Sequence, residues 1–243
     1  MDPSEGNLFD WGAELLLHQA FEPAFAVFQA GLARYPRSLR LQMSRGIALL
    51  GLGRFDEAAE AFCQASDLNP ADPLPLIFLG KSSDSFSARA LENVRKRMQR
   101  FAESGVHNAS VDYFYAINLV KSQQDGSSTA SQAEIESLLK NVVALDPTYA
   151  DAYVELGKLY AAKQEYGDAI EQYQHALKID PGNANAHYRL GQALGRTGDK
   201  TAALKEFSEY ERLHQRQVAD DQTREGSIQK FIYTMRSSGA GAR

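Results

Sequence analysis

Ala150 to Pro181 reads ADAYVELGKLYAAKQEYGDAIEQYQHALKIDP, and thirty-four residues after Ala150 the pattern starts again as ANAHYRLGQALGRTGDKTAALKEFSEYERL. Self-similarity at a fixed period of this size marks an architecture of stacked repeats. The spacing has a physical cause. Small residues at Gly157 and Ala169 let two antiparallel helices approach closely, while Tyr160 and Tyr173 fill the space between them. Asp180-Pro181 closes the second helix, because proline cannot continue it and pushes the preceding residue out of the α region.

Counted from Ala150 as position one, Tyr153, Leu156, Gly157, Tyr160, Ala169, Tyr173, Ala176 and Pro181 occupy all eight signature positions of the tetratricopeptide repeat. The stretch therefore resembles that family, whose unit is a helix–turn–helix. The following repeat offers His187, Leu190, Gly191, Leu194, Ala203, Phe207 and Tyr210 and lacks the closing proline. Towards the N-terminus, Leu39–Asp72 carries Gly46, Leu49, Ala58, Phe62, Ala65 and Pro70, and Glu5–Ser38 carries Leu8, Trp11, Gly12, Leu15, Ala24, Phe28 and Pro36. Trp11 and His187 hold signature positions, so packing is the role expected of both.

Two repeats are degenerate. Pro73–Val106 begins with Leu79-Gly80, but its second helix reads best as Ala90, Leu91, Val94, Met98 and Phe101, about two residues out of frame. Ala109–Tyr149 pairs Tyr115, Ala116 and Leu119 with Ile135, Leu139, Val142 and Pro147, across a polar loop at Gln123–Gln132. Ile228, Phe231, Ile232 and Met235 then recur on one helical face, as in a helix that covers the end of a solenoid. The expected fold is all-α: one solenoid domain over 1–243, a right-handed superhelix with repeats at about 5–38, 39–72, 73–106, 109–149, 150–183 and 184–217, and a capping helix at about 222–236.

Composition agrees with a packed chain. Hydrophobic residues make up 44% and charged residues 23% of the 243 residues, as in ordinary globular proteins. The net charge of −5 lowers the prospect of a general nucleic-acid binder, which normally carries a basic balance. The densest basic cluster, Arg95-Lys96-Arg97 with Arg100 and Arg89 nearby, reads as the solvated side of a helix. The single cysteine, Cys63, excludes an intrachain disulfide framework and a multi-cysteine zinc site. No apolar run approaches the roughly 18 residues that a membrane span needs. The start, Met1-Asp2-Pro3-Ser4-Glu5-Gly6-Asn7, is polar and lacks a signal-peptide pattern. A native N-terminus of this kind implies the cytoplasm, and a removed leader would imply the periplasm or the exterior.

The family resemblance implies a concave groove lined by first helices at repeat positions 2, 5, 9, 12 and 13, holding a protein or peptide. In this chain those positions include Phe9, Ala13 and Leu16; Met43, Ile47 and Leu50; Leu74, Ile77 and Lys81; and Tyr113, Ile117 and Val120. The last two repeats supply Asp151, Val154, Lys158, Tyr188, Gln192 and Arg196. The groove thus reads apolar over its first two-thirds and polar over the rest. Exposed apolar patches of that size mark interaction sites; the competing reading is that these side chains pack between neighbouring helices. Some family members hold a chaperone's terminal carboxylate with a lysine and an asparagine at positions 5 and 9. The pairs here are Phe9/Ala13, Met43/Ile47, Ile77/Lys81, Tyr113/Ile117, Val154/Lys158 and Tyr188/Gln192, so no such clamp is expected.

Nothing in the sequence calls for catalysis, a cofactor or a metal. His18, His107, His175, His187 and His214 lack metal-ligand spacing, and no G-x-S-x-G or G-x-x-x-x-G-K-[ST] motif occurs. The leading expectation is a non-catalytic scaffold for a protein or peptide. The alternatives are the repeat domain of a larger enzyme or sensor, such as a repeat-linked glycosyltransferase, and a bacterial envelope-assembly factor of the pilotin kind.

Overall fold

A computed structural model describes residues 4–124, 126 and 130–218. The regular structure of these residues is helical, with one 3-10 turn at Ser83–Ser85. The chain forms two compact units, Met1–Asp146 and Pro147–Arg243. The expected capping helix at 222–236 lies outside the described residues.

The first unit holds α1 (Glu5–Leu17), α2 (Phe21–Arg34), α3 (Leu39–Gly51), α4 (Phe55–Leu68), α5 (Leu74–Lys81), α6 (Ala88–Glu103), α7 (Ala109–Gln124) and α8 (Gln132–Leu145). Helices α1/α2, α3/α4 and α7/α8 form hairpins, and α2 packs in turn on α3. The expected loop at Gln123–Gln132 is shorter than read, since its first two residues end α7 and its last begins α8. The second unit holds α9 (Ala150–Ala162), α10 (Tyr166–Ile179), α11 (Ala184–Thr197) and a further helix, α12, from 200 and described to 218.

Two local devices recur in the strong hairpins. The first is a close helix crossing. A β-carbon added to Gly12, Gly46, Gly157 or Gly191 would collide with the ring of Phe28, Phe62, Tyr173 or Phe207, each sixteen residues on in the partner helix. Only a hydrogen at that position lets the ring come this close to the backbone. The degenerate repeat solves the same problem differently: the ring over Gly80 is that of Phe114, in α7. The frame shift read in Pro73–Val106 has this as its counterpart, since α6 buries Ala90, Val94, Met98 and Phe101 and brings no aromatic ring to Gly80.

The second device is the turn inside each strong hairpin. Gln19, Gly53, Gln164 and Gly198 occupy equivalent places and have φ of 56°, 71°, 65° and 92°. The next N–H then reaches back to a carbonyl five residues earlier, as in Ala20 to Leu15 at 2.9 Å and Glu165 to Tyr160 at 2.9 Å. This left-handed closure satisfies carbonyls that a helix end leaves without partners. Three first helices, α1, α3 and α11, are started by side-chain caps: Ser4, Ser38 and Asn183 each accept a backbone N–H of the first turn, whereas α9 follows Tyr149 without one.

Each unit buries its own core. In the first, Ala24, Phe28, Leu41 and Ala48 cluster, with Phe9 and Leu16 packed against them. In the second, Val154, Ala169, Tyr173, Ala176, Ala186, Leu190 and Ala193 do so, with Tyr160 at their edge. Full burial of one large apolar side chain contributes roughly 1.5–3 kcal/mol. Trp11 departs from expectation, because it is 60% exposed. Leu79 and Leu190 at the same repeat position are buried, on helices that lie against the second helix of the hairpin before, α4 and α10. No described helix precedes α1 to cover Trp11 in that way.

Candidate partner-binding surfaces

In the first unit α1 lies beside α3 and α5 beside α7, so the first helices of the repeats are neighbours in pairs. Their expected groove residues fall into three groups. Phe9, Ala13, Leu16, Ile47, Leu50, Ile77, Tyr113, Ile117 and Val120 are half-buried, each with part of the side chain at the surface. Leu74 and Lys81 are exposed. Met43 is buried, at 6% exposure, on a helix flanked by α1, α2 and α4, and offers almost no surface. Some half-buried residues have internal partners too. The Arg40 guanidinium lies 5.0 Å from the Phe9 ring centre, and Tyr113 meets Phe114 edge-on at 5.6 Å.

Polar groups interrupt this apolar row, and sequence reasoning missed them because no motif marks them. Gln42 is buried and donates to Gln64 across the α3/α4 hairpin. Asp112, in the first turn of α7, is fully buried; the His107 Nδ1 stands 3.4 Å from its Oδ2, and neither carboxylate oxygen has a hydrogen bond among the described residues. Burial pushes the Asp112 carboxyl above the ordinary aspartate range, against the opposing pull of His107.

The basic cluster on α6 is not simply solvated. Asp67 on α4 accepts from Arg97 at 2.5 Å and from Arg100 at 2.9 Å, while Arg97 Nε donates to the Cys63 carbonyl at 3.2 Å. Arg95 and Lys96 both pair with Glu92. Arg97 and Arg100 thus fasten α6 to α4, the Glu92 pairs lie within α6, and Arg89, Lys96 and Arg100 are exposed. Beside them a cavity of about 460 Å³ opens between α4 and α6, and both carboxylates and arginines line it. Cys63 on its wall is buried, and desolvation pushes its thiol up to about 11.

In the second unit the expected groove residues divide. Val154 is buried, at 2% exposure, within the core cluster, so it lines no surface. Asp151, Tyr188, Gln192 and Arg196 are exposed and Lys158 is half-buried. Tyr188 also packs its ring on Tyr210, with centroids 5.2 Å apart. Lys158, Gln192 and Arg196 share the wall of a cavity of about 600 Å³ with Tyr166, Tyr173, Arg189 and Phe207. His187 does more than fill space: its Nδ1 is 2.6 Å from Glu206 Oε2 and its Nε2 is 3.1 Å from the Pro181 carbonyl, tying α11 to α12.

Family models described as "Tetratricopeptide repeat" and "TPR repeat" match residues 19–73 and 157–198. The chain is a tetratricopeptide-repeat protein. Among solved structures, this tetratricopeptide-repeat chain superposes on PilF of Pseudomonas aeruginosa with a TM-score of 0.65 at 15% identity, covering 86% of this chain and 91% of that one. MamA follows the same fold at a TM-score of 0.59 and 23% identity, covering 72% and 96%. YrrB, a tetratricopeptide-repeat protein with an unusual peptide-binding site, gives 0.57 at 16% identity over 76% and 91%.

Curated relatives include the protein O-mannosyl-transferase TMTC3 of Mus musculus, 23% identical over 181 residues, covering 70% of this chain and 19% of that protein. Cellulose synthase operon protein C of Pseudomonas fluorescens is 24% identical over 203 residues, covering 74% and 16%. The chain thus spans less than a fifth of the length of these relatives. Among the described residues no helix is long and apolar enough to cross a membrane, and no three His, Cys, Asp or Glu side chains are grouped to hold a metal ion.

Proposed function

We propose that this tetratricopeptide-repeat chain is a non-catalytic scaffold that holds a protein or peptide against the first helices of its first unit, mainly by apolar contact. The observation that carries this reading is the set of half-buried apolar side chains Phe9, Ile47, Leu50, Ile77, Tyr113 and Ile117 on α1, α3, α5 and α7. Side chains of this kind are anchored by their own packing and still present a face, so a partner gains contact at little entropic cost. Met43 and Val154 are left out of the contact set because burial withdraws them from the surface.

The test is capture of the native partner by the intact chain and by an Ile47→Asp, Ile117→Asp chain whose helical spectrum and melting are unchanged. Loss of capture with the fold retained supports the reading; full capture moves the partner off these helices. A second reading has one observation behind it. The match to the O-mannosyl-transferase covers 70% of this chain but 19% of that protein, the proportion expected if this chain corresponds to the repeat region of a larger enzyme. In that case the same surface would present a substrate or a partner to a catalytic domain elsewhere.

A further inference from the structure

Trp11 is 60% exposed, and the surface around it differs from that of the other strong hairpins. Its counterpart thirty-four residues on is Arg45, which donates to Gln64 at 3.3 Å and is attracted to Glu60 and Glu57 on α4. The residues of α2 that correspond to Gln64, Glu60 and Glu57 are Ala30, Ala26 and Pro23, all of them exposed. Helices α10 and α12 keep polar side chains at the two inner places, Glu171 with His175 and Lys205 with Glu209. The first hairpin thus exchanges a polar surface for an apolar one centred on an open tryptophan, and exposed apolar patches mark interaction sites. In the second hairpin the polar counterpart lies alongside a helix, since Glu60 and Gln64 share the wall of the 460 Å³ cavity with α6.

Charge selects the occupant. Helix α1 carries Glu5, Asp10 and Glu14 and no lysine or arginine, and Glu5 is already held by Ser38 and Arg40. Two copies meeting through this face would set Asp10 and Glu14 against their own duplicates. A repeat stacked on α1 in frame would bury Glu14, which stands where Ala48 and Ala193 are buried in their repeats. A basic amphipathic segment meets neither obstacle, and the chain contains one. Residues 227–243 carry Lys230, Arg236 and Arg243 and no acid, while Ile228, Phe231, Ile232 and Met235 share one face at helical spacing with Arg236 at its edge. We propose that residues 227–236 of a second copy dock on the outer end of the first hairpin, with their apolar face on Trp11, Ala26 and Ala30 and with Arg236 toward Asp10 and Glu14. Surface and segment belong to different compact units, so a second copy supplies the segment without fixing how the two units of one copy are placed. The contact joins the tail of one copy to the head of the next, and such heterologous contacts build rings or open chains instead of a two-fold pair.

Trp11 is the only tryptophan of the sequence, so fluorescence of the full chain reads this face directly. The expected result is that raising the protein concentration shifts its emission to the blue and reduces its quenching by acrylamide, in step with association seen by sedimentation. Phe231→Asp with Ile232→Asp should keep the emission red and the chain monomeric at every concentration. Ala26→Glu with Ala30→Gln, which installs the second hairpin's residues at exposed positions, should do the same while leaving the segment intact. Adding a Trp11→Ala chain, which gives no tryptophan signal and keeps its segment, should restore the blue shift of the Phe231→Asp, Ile232→Asp chain. The Ile47→Asp, Ile117→Asp chain should associate as the parent does, because this contact does not rest on the surface proposed above. Emission that stays red and fully quenchable at every concentration, or a blue shift independent of concentration, would overturn the assignment. So would a Phe231→Asp, Ile232→Asp chain that melts lower while its emission follows the parent's, since the segment would then cover the last repeat instead.

Discussion

Phe114 in α7 lays its ring over Gly80 in α5, the place that an aromatic of the same hairpin fills over Gly12, Gly46, Gly157 and Gly191. The third repeat has therefore kept the crossing and changed the donor of the ring. Gly80→Ala should cost about 1–3 kcal/mol, because a methyl group there forces the Phe114 ring out of its place. Combining it with Phe114→Leu should cost less than the two single changes added together. Urea unfolding of the four chains of that cycle measures the coupling, and strict additivity would mean that the ring does not rest on Gly80.

Gln164 and Gln19 hold a left-handed conformation that Gly53 and Gly198 hold at the equivalent turns. A β-carbon in that region carries a penalty of roughly 1–2 kcal/mol, part of which glycine gives back through its freer unfolded chain. Gln164→Gly should therefore raise stability by up to about 1 kcal/mol, and Gly198→Ala should lower it by a similar amount. Thermal melts of the two variants check both signs.

Asp67 is pushed up by burial, but hydrogen bonds from Arg97 and Arg100 outweigh that and hold its carboxyl below the ordinary 3.8. A depressed pKa in the folded state means stability that is present above the unfolded value and is lost as pH falls through the folded one. Asp67→Asn should lower stability at pH 7 by about 0.5–1 kcal/mol, a modest figure because Asp67 is 40% exposed and solvent screens the pair. The difference between the two chains should shrink as pH drops below about 4, which a series of melts across acid pH would show. A gap that persists in acid would assign the loss to packing instead.

Asp112 carries the opposite sign. Burial raises its pKa above 3.8, so its carboxylate opposes folding once it is ionised. Its contribution is most favourable below the unfolded pKa and declines as pH rises through the folded one. Asp112→Asn should stabilise the chain at neutral pH, on the order of 1 kcal/mol, and lose that advantage in acid. If the variant melts lower at pH 7, the His107 contact outweighs burial.

Much of this architecture is written locally. The two helices of Ala150–Pro181, their closing Asp180-Pro181 and the small residue at Gly157 follow from spacing, and α6 follows from Val94, Met98 and Phe101 on one face. What spacing does not carry is which element lies opposite. Trp11 occupies a buried position of the pattern and is exposed, because burial there depends on a preceding helix. Met43 and Ile47 are both apolar groove positions on α3, yet Met43 is buried and Ile47 half-buried, a difference made by flanking helices.

The lone thiol gives the first unit its own clock. Cys63 is 4% exposed in α4 and burial pushes its thiol up to about 11, so the folded chain offers almost no thiolate to an alkylating reagent at neutral pH. Labelling must wait for α4 to open, and its rate at saturating reagent measures how often that happens. The second unit holds no cysteine and is silent in the same assay. Thiol labelling followed beside the loss of helical signal thus separates the opening of Met1–Asp146 from that of Pro147–Arg243 without altering a single residue.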